Sequence, residues 1–191
     1  MIAKMIVFVL VAVLGGLGSS WFMIERGSAL TTRKLGPWTV WTEAGRPDAD
    51  PYTRAHFMRR GMLPVSTALA MTFEATIDSD GQRLHSSCEY AIEGNEPPAM
   101  FWTLSVFDEH GQLIPNPAER YAYNSATVLR SAGNRLSIAL SRSARSGNWL
   151  PTGGAGRIAL ILTVEDQRAP DIASATAAAW QPPAIKRVSC R

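Results

Sequence analysis

Three histidines, His56, His85 and His110, are the side chains in this sequence best suited to proton transfer or metal binding, and their placement limits both uses. None pairs with another ligand at a helical metal spacing. Each falls beside a predicted helix or turn, where an imidazole is commonly a surface group. Asp108-Glu109-His110-Gly111 brings acid and base together, but a charged hairpin tip has the same composition. Carboxylates such as Asp108 and Glu89 are the candidates for glycosidic chemistry. A retaining site needs its two carboxyls about 5–5.5 Å apart and an inverting one about 6.5–9.5 Å. No GxSxG, HExxH, P-loop or Rossmann signature occurs, and no CxxC or Cys/His spacing suits zinc. Serines are plentiful, yet nothing selects one as a nucleophile. No catalytic residue is assigned, and neither a metal nor another cofactor is expected.

The sharpest local feature is Asn148-Trp149-Leu150-Pro151, with Gly147 before it and Gly153-Gly154 after it. In a binding role, Trp149 would stack on a sugar or lipid while Asn148 supplies a polar contact. In a structural role, Trp149 would plug the end of a sandwich while Asn148 satisfies loop backbone groups. The structural role is preferred. Asn116, between Pro115 and Pro117, poses the same choice with the same preference. Tyr52, Trp102 and Arg120 complete the ligand-binding candidates as neighbours of a pocket.

The elements that must position these residues follow from hydropathy. Met5 to Ile24 form a run of twenty positions without a charge. At about 1.5 Å per residue, a helix of that length spans roughly 30 Å, the thickness of a bilayer's hydrocarbon core. Trp21 and Phe22 near its end suit the interface. Lys4 and the small residues Gly18-Ser19-Ser20 are compatible with a cleaved signal. The apolar run continues past them, which favours a retained anchor. Arg26, Arg33 and Lys34 follow the span, so positive-inside counting would place the following domain in the cytoplasm. The two cysteines, Cys88 and Cys190, argue for export, because an even count behind an export signal points to a disulfide. Two unrelated buried thiols are the alternative. We read export and a Cys88–Cys190 bond.

Residues 1–26 are thus a signal anchor or transmembrane helix, and residues 27–50 a tether with an irregular lead-in. Residues 51–191 form the domain. Asp50 before Pro51 is an N-cap followed by proline at the first helical turn, and Gly61 is a suitable stop, so a short helix spans that interval. From residue 71 the apolar period becomes two. Met71-Phe73-Ala75-Ile77, Cys88-Tyr90-Ile92, Met100-Trp102-Leu104-Val106, Leu136-Ile138-Leu140 and Ile158-Leu160-Leu162-Val164 alternate. Leu113-Ile114 and Tyr121 to Leu129 read as further strands, Gly133-Asn134 as a turn, and residues 169–183 as a connecting segment. Seven or eight short strands with no βα alternation predict a mainly β, antiparallel sandwich. The apolar share of 46% excludes a disordered chain. The pI near 9.1 reflects a small excess of cations, and no nucleic-acid partner is expected.

Two stretches carry a family resemblance. One runs Phe101-Trp102-Thr103-Leu104-Ser105-Val106-Phe107-Asp108, Gly111, Leu113-Ile114-Pro115-Asn116-Pro117 and Arg120-Tyr121; the other is Gly147-Asn148-Trp149-Leu150-Pro151. In order and spacing they resemble the family called domain of unknown function 1214, most clearly over about residues 70–165. The flanks, including Pro47-Asp48-Ala49-Asp50-Pro51-Tyr52 and the terminal cysteine, resemble its short, membrane-exported members. The resemblance implies a jelly-roll-like antiparallel fold in the cell envelope and no particular reaction. In longer relatives a second uncharacterised domain precedes this one, for which a chain of this length has no room. The family's last core strand commonly ends in Arg-Leu-Tyr, whereas Thr163, Val164 and Glu165 stand here.

The function expected is that of a non-catalytic binding or structural module, held to the membrane through residues 5–24. Its domain would lie in the periplasm beside the inner membrane, or be secreted if the signal is cleaved. Its partner would be an envelope protein or glycan. The alternative is an envelope enzyme using carboxylate chemistry on a glycan or small molecule.

Overall fold

A computed structural model describes residues 1–130, 135–165 and 180–190. Among them are two helices and ten strands, in two compact units: residues 1–33 with 41–67, and 34–40 with 68–191.

The first unit holds both helices. Helix α1 (Ile2–Arg26) is apolar all round, has no buried residue, and is long enough to cross a membrane. Helix α2 (Pro51–Arg59) begins as its sequence predicts. The Asp50 carboxylate accepts the backbone N–H groups of Tyr52 at 2.8 Å and Thr53 at 3.1 Å, and also bonds the Thr53 hydroxyl. Gly61, at φ 62°, follows it. His56 of α2 is buried; its Nδ1 donates to the Ile24 carbonyl at 2.7 Å, and its ring stacks on Trp41 at 4.1 Å. Arg59 pairs with Glu25 at 2.8 Å. The segments before and after α2 meet at Gly45, where a Cβ would stand 2.6 Å from the backbone of Pro64 to Ser66.

The second unit is a two-sheet sandwich. The strands of the described residues are β1 (Thr32–Leu35), β2 (Trp38–Trp41), β3 (Ala70–Ala75), β4 (Cys88–Asn95), β5 (Phe101–Asp108), β6 (Ala122–Asn124), β7 (Arg135–Ser141), β8 (Trp149–Pro151), β9 (Ile158–Glu165) and β10 (Ala184–Cys190). One sheet has the order β1-β2-β3-β9-β5-β6, the other β10-β4-β7-β8. The registers of β3, β4, β5, β9 and β10 with their neighbours are antiparallel, while β8 lies parallel to β7. Period-two alternation turns Phe73, Trp102, Leu104, Leu160 and Leu162 of one sheet and Tyr90, Ile92, Ile138, Leu140 and Leu150 of the other into one buried core.

Several expectations are corrected. Residues 27–50 are not simply a tether: Trp38-Thr39-Val40-Trp41 is a strand too short for a periodic signal, with Trp38 fully buried. Met100 is 61% exposed because β5 starts at Phe101. The strand expected from Tyr121 to Leu129 stops at Asn124, whose side-chain oxygen accepts the N–H groups of Ala126 and Thr127 and turns the chain. Leu113 makes only an isolated bridge to Phe107. Trp149-Leu150-Pro151, expected as loop, forms β8. The predicted turn at Gly133-Asn134 and most of the predicted connecting segment lie outside the described residues.

Strand β10 is held at several points. Cys190 stands opposite Cys88 in the register, and the two form a disulfide across 102 residues of sequence. The Trp38 indole donates to the Pro183 carbonyl at 2.7 Å. Ser79 and Ile185 exchange two hydrogen bonds of 2.9 Å. Asp78 Oδ1 accepts from the Asp80 and Gln82 N–H groups, while its buried Oδ2 faces the Arg187 guanidinium at 2.8 Å. That last contact is a charge contact, because its angles do not make a hydrogen bond. Gly94 lets Pro183 approach, since a Cβ there would stand 2.8 Å from the proline Cα. In the chain-entropy model a disulfide closing so long a loop contributes up to ~4.7 kcal/mol, and removing one typically costs about 2–5 kcal/mol. Cys190→Ser is therefore expected to lower the melting temperature of the oxidised protein and leave that of the reduced protein nearly unchanged, as read by thermal circular dichroism.

Candidate functional site

The two sequence blocks that stood out meet at one edge of the sandwich. Asn116 braces the turn before β6: its amide donates to the carbonyls of Ile114 at 3.1 Å and Arg120 at 3.0 Å, and its oxygen accepts the Arg120 N–H at 3.1 Å. Glu119 within that turn has φ 49°, a left-handed conformation unusual for a residue with a side chain. The braced turn delivers Arg120, whose guanidinium donates to the Trp149 carbonyl at 3.3 Å. The same guanidinium lies 5.7 Å from the Tyr123 ring centre and 5.9 Å from that of Trp149. The Tyr123 hydroxyl accepts the Trp149 N–H at 3.0 Å. The β6 edge of one sheet is thereby fastened to the β8 edge of the other.

Asn148 is buried and uses its amide on backbone alone. Its oxygen accepts the Leu129 N–H at 2.8 Å, and its nitrogen donates to the carbonyls of Leu129 at 2.7 Å and Ser137 at 2.9 Å. The half-buried Trp149 donates its indole N–H to the Ser141 carbonyl at 3.0 Å. Asn116, Arg120, Asn148 and Trp149 are thus brought together, with Tyr123 added, a residue the sequence reading did not single out. The other two candidates stand apart. Trp102 is fully buried in β5 and gives its indole N–H to Glu96 at 2.8 Å, so it has no face to offer a ligand. Tyr52 belongs to the first unit, in the first turn of α2.

The carboxylates named for catalysis are already engaged. Glu89 makes two contacts of 2.5 Å to Arg145. Asp108 accepts the N–H groups of Gln112 at 2.8 Å and His110 at 2.9 Å, and the Gln112 bond foremost holds its carboxyl below the ordinary aspartate range. A carboxylate so held is a poor proton donor. The sequence reading takes His85 as a turn residue and does not pair it with Ser87, whose Oγ lies 2.8 Å from the His85 Nδ1. The His-x-Ser spacing was the available signal. His85 Nδ1 also accepts the Ser87 N–H at 3.1 Å, which makes the pair a local turn contact. Among the described residues no side chain bonds the other ring nitrogen to orient it as a base. Beside it, Ser86, Ser87, Cys88, Glu89, Arg142 and Ser143 line a hollow of about 130 Å³. Sites for drug-sized ligands occupy about 300–1,000 Å³. Among the described residues no His, Cys, Asp and Glu side chains gather as a metal site.

These features define a two-sheet β-sandwich domain in a chain that begins with an exposed apolar helix. The chain belongs to the family described as "Protein of unknown function (DUF1214)", whose model matches residues 69–167. It is similar in fold to the VPA0106 protein from Vibrio parahaemolyticus, with a TM-score of 0.61 and 21% identity, over 78% of this chain and 40% of that one. An uncharacterised protein from Burkholderia cenocepacia matches at a TM-score of 0.43 and 15% identity, over 64% of this chain and 30% of that one. The chain spans less than half the length of either. No curated protein matches it.

Two outcomes are expected. Asn148→Ala removes three hydrogen bonds to backbone groups, and at about 1 kcal/mol each it should destabilise the domain by ~2–4 kcal/mol in urea unfolding; a variant that unfolds like the parent would refute the bracing role. The Asp108 turn should weaken in acid. Because folding lowers this carboxyl's pKa, its contribution is fully present above the ordinary value of about 3.9 and is lost as the pH falls through the lower folded value. Amide exchange at His110 and Gln112 should rise in that window and lose this pH dependence in Asp108→Asn.

Proposed function

We propose that this protein is a membrane-anchored envelope protein whose β-sandwich lies in an oxidising compartment and serves as a non-catalytic binding or structural module. The observation that carries the reading is α1, a 25-residue helix with no buried residue and exposed apolar side chains along its length. A helix apolar on all sides with nothing packed over most of its length is suited to lipid. The Cys88–Cys190 disulfide favours the periplasm over the cytoplasm, against the positive-inside count after α1. Retention of the helix is supported by its last turns, which pack on α2 beyond the small residues Gly18-Ser19-Ser20. The partner is an envelope protein or glycan, and the exposed part of the junction around Trp149 and Arg120 is where a ligand would be met. The engagement of Glu89 and Asp108 in ion pairing and turn formation supports binding over glycosidic catalysis.

The topology is tested by fusing, after Arg191, a reporter active only outside the cytoplasm, and in a second strain one active only inside. Activity of the outside reporter alone, with the full-length chain resisting alkaline extraction from membranes, is the expected result. Activity of the cytoplasmic reporter alone would overturn the location.

A further inference from the structure

The surface at the C-terminal end of α2 sets cations beside exposed apolar side chains. From Pro51 to Leu69 the sequence contains the arginines Arg54, Arg59 and Arg60 and no acidic residue. Arg59 and Arg60 are exposed, as is Arg26 at the end of α1. Beside them Met58 is 80% exposed, Leu63 99% and Val65 58%, and Met62 is exposed as well. Large apolar side chains held outward next to cations are the composition of a segment that lies in a membrane interface.

The depth of this surface follows from α1. The uncharged run from Met5 to Ile24 spans roughly 30 Å as a helix, the thickness of a bilayer's hydrocarbon core. Trp21 and Phe22 then fall at the interface, where aromatic rings are favoured. The Arg59 guanidinium lies 4.0 Å from the centre of the Trp21 ring and 2.8 Å from the Glu25 carboxylate. His56, one turn earlier on α2, is bonded to the Ile24 carbonyl. These contacts hold the end of α2 level with the last turns of α1, so the segment after it starts at headgroup depth.

We propose that Met58–Val65 forms a second membrane contact, an anionic phospholipid site. Arg26 and Arg60 meet headgroup phosphates, while Met58, Met62, Leu63 and Val65 enter the boundary of the acyl chains. The charge is complementary to an anionic lipid surface. This inference rests on the reading of α1 as a membrane span. Its consequence is that the first unit is seated on the bilayer instead of swinging above it on a tether.

The test uses the full chain carrying Leu63→Cys, labelled with a polarity-sensitive fluorophore and reconstituted into vesicles of phosphatidylcholine alone or mixed with phosphatidylglycerol. In the mixed vesicles the emission should shift to the blue and be quenched by a spin label on the acyl chain. Arg26→Gln and Arg60→Gln should each reduce the docking equilibrium about fivefold, since one arginine near an anionic surface contributes about that much. Arg59 is left in place because it pairs with Glu25 and packs on Trp21, which holds α2 to α1. A label at Val65→Cys, read in parallel, guards against a local disturbance at residue 63. Labels that remain in water in both lipid mixtures overturn the proposal. Burial that is equal with and without phosphatidylglycerol overturns the anionic assignment. A label at Val11→Cys separates this failure from that of the anchor: if Val11 reports hydrocarbon while Leu63 and Val65 report water, the span stands and the second contact falls.

Discussion

A two-layer sandwich has to be closed along its sides, and that constraint organises the second unit. Each sheet turns one apolar face inward, but a sheet also ends in an edge strand with unpaired amides and carbonyls, next to which the core would meet water. Here both sides are shut by side chains that bond to backbone. On the β6–β8 side, Tyr123, Arg120 and Asn148 bind main-chain groups of the strands and loops around them. On the other side, Trp38 reaches the Pro183 carbonyl and Ser79 pairs with Ile185. The inward alternation of the strands succeeds only because these fasteners keep water off its margins.

The same demand explains why groups with chemical potential are spoken for. An Asn amide offers two donors and an acceptor, and Asn148 places them all on main chain. Asp108 serves its hairpin as a turn residue, and Asp78 does so after β3 while its second oxygen meets Arg187. Glu96 holds the Trp102 indole with one oxygen and receives Arg130 on both, which seals the tryptophan into the core. A polar residue distinctive in sequence is thus distinctive for architecture first.

How much of this was legible depended on whether the signal was local. The strands β3, β4, β5, β7 and β9 announce themselves through alternation, because one face is buried along their whole length. The cap at Asp50-Pro51 is equally local. β2 and β8 were missed for opposite reasons. β2 is a four-residue segment beside Gly36-Pro37, so its two tryptophans read as isolated aromatics. β8 contains a proline and pairs in parallel with β7, a pairing that no period reveals. The role of Asn148 as a brace was readable in kind, but its partners Leu129 and Ser137 are brought to it by the fold, 19 and 11 residues away in sequence. The residue type of Trp102 suggests a pocket, and only its place in the register of β5 with β9 sets it in the interior.

The bond between Cys88 and Cys190 also imposes an order in time. β4 receives β7 on one side and β10 on the other, and β10 lies about a hundred residues further along the chain. At synthesis rates of about 5–20 residues per second, β4 waits roughly 5–20 s for its second neighbour. During that interval its outer edge is a template for any passing strand. Glu89 and Glu93 stand on its outward face, and in the finished molecule they are matched by Arg145 and Lys186. Before those partners arrive, the two carboxylates repel one another's copies on neighbouring nascent chains. The carboxylates of these ion pairs are thus charges of the kind that blunt an open strand edge.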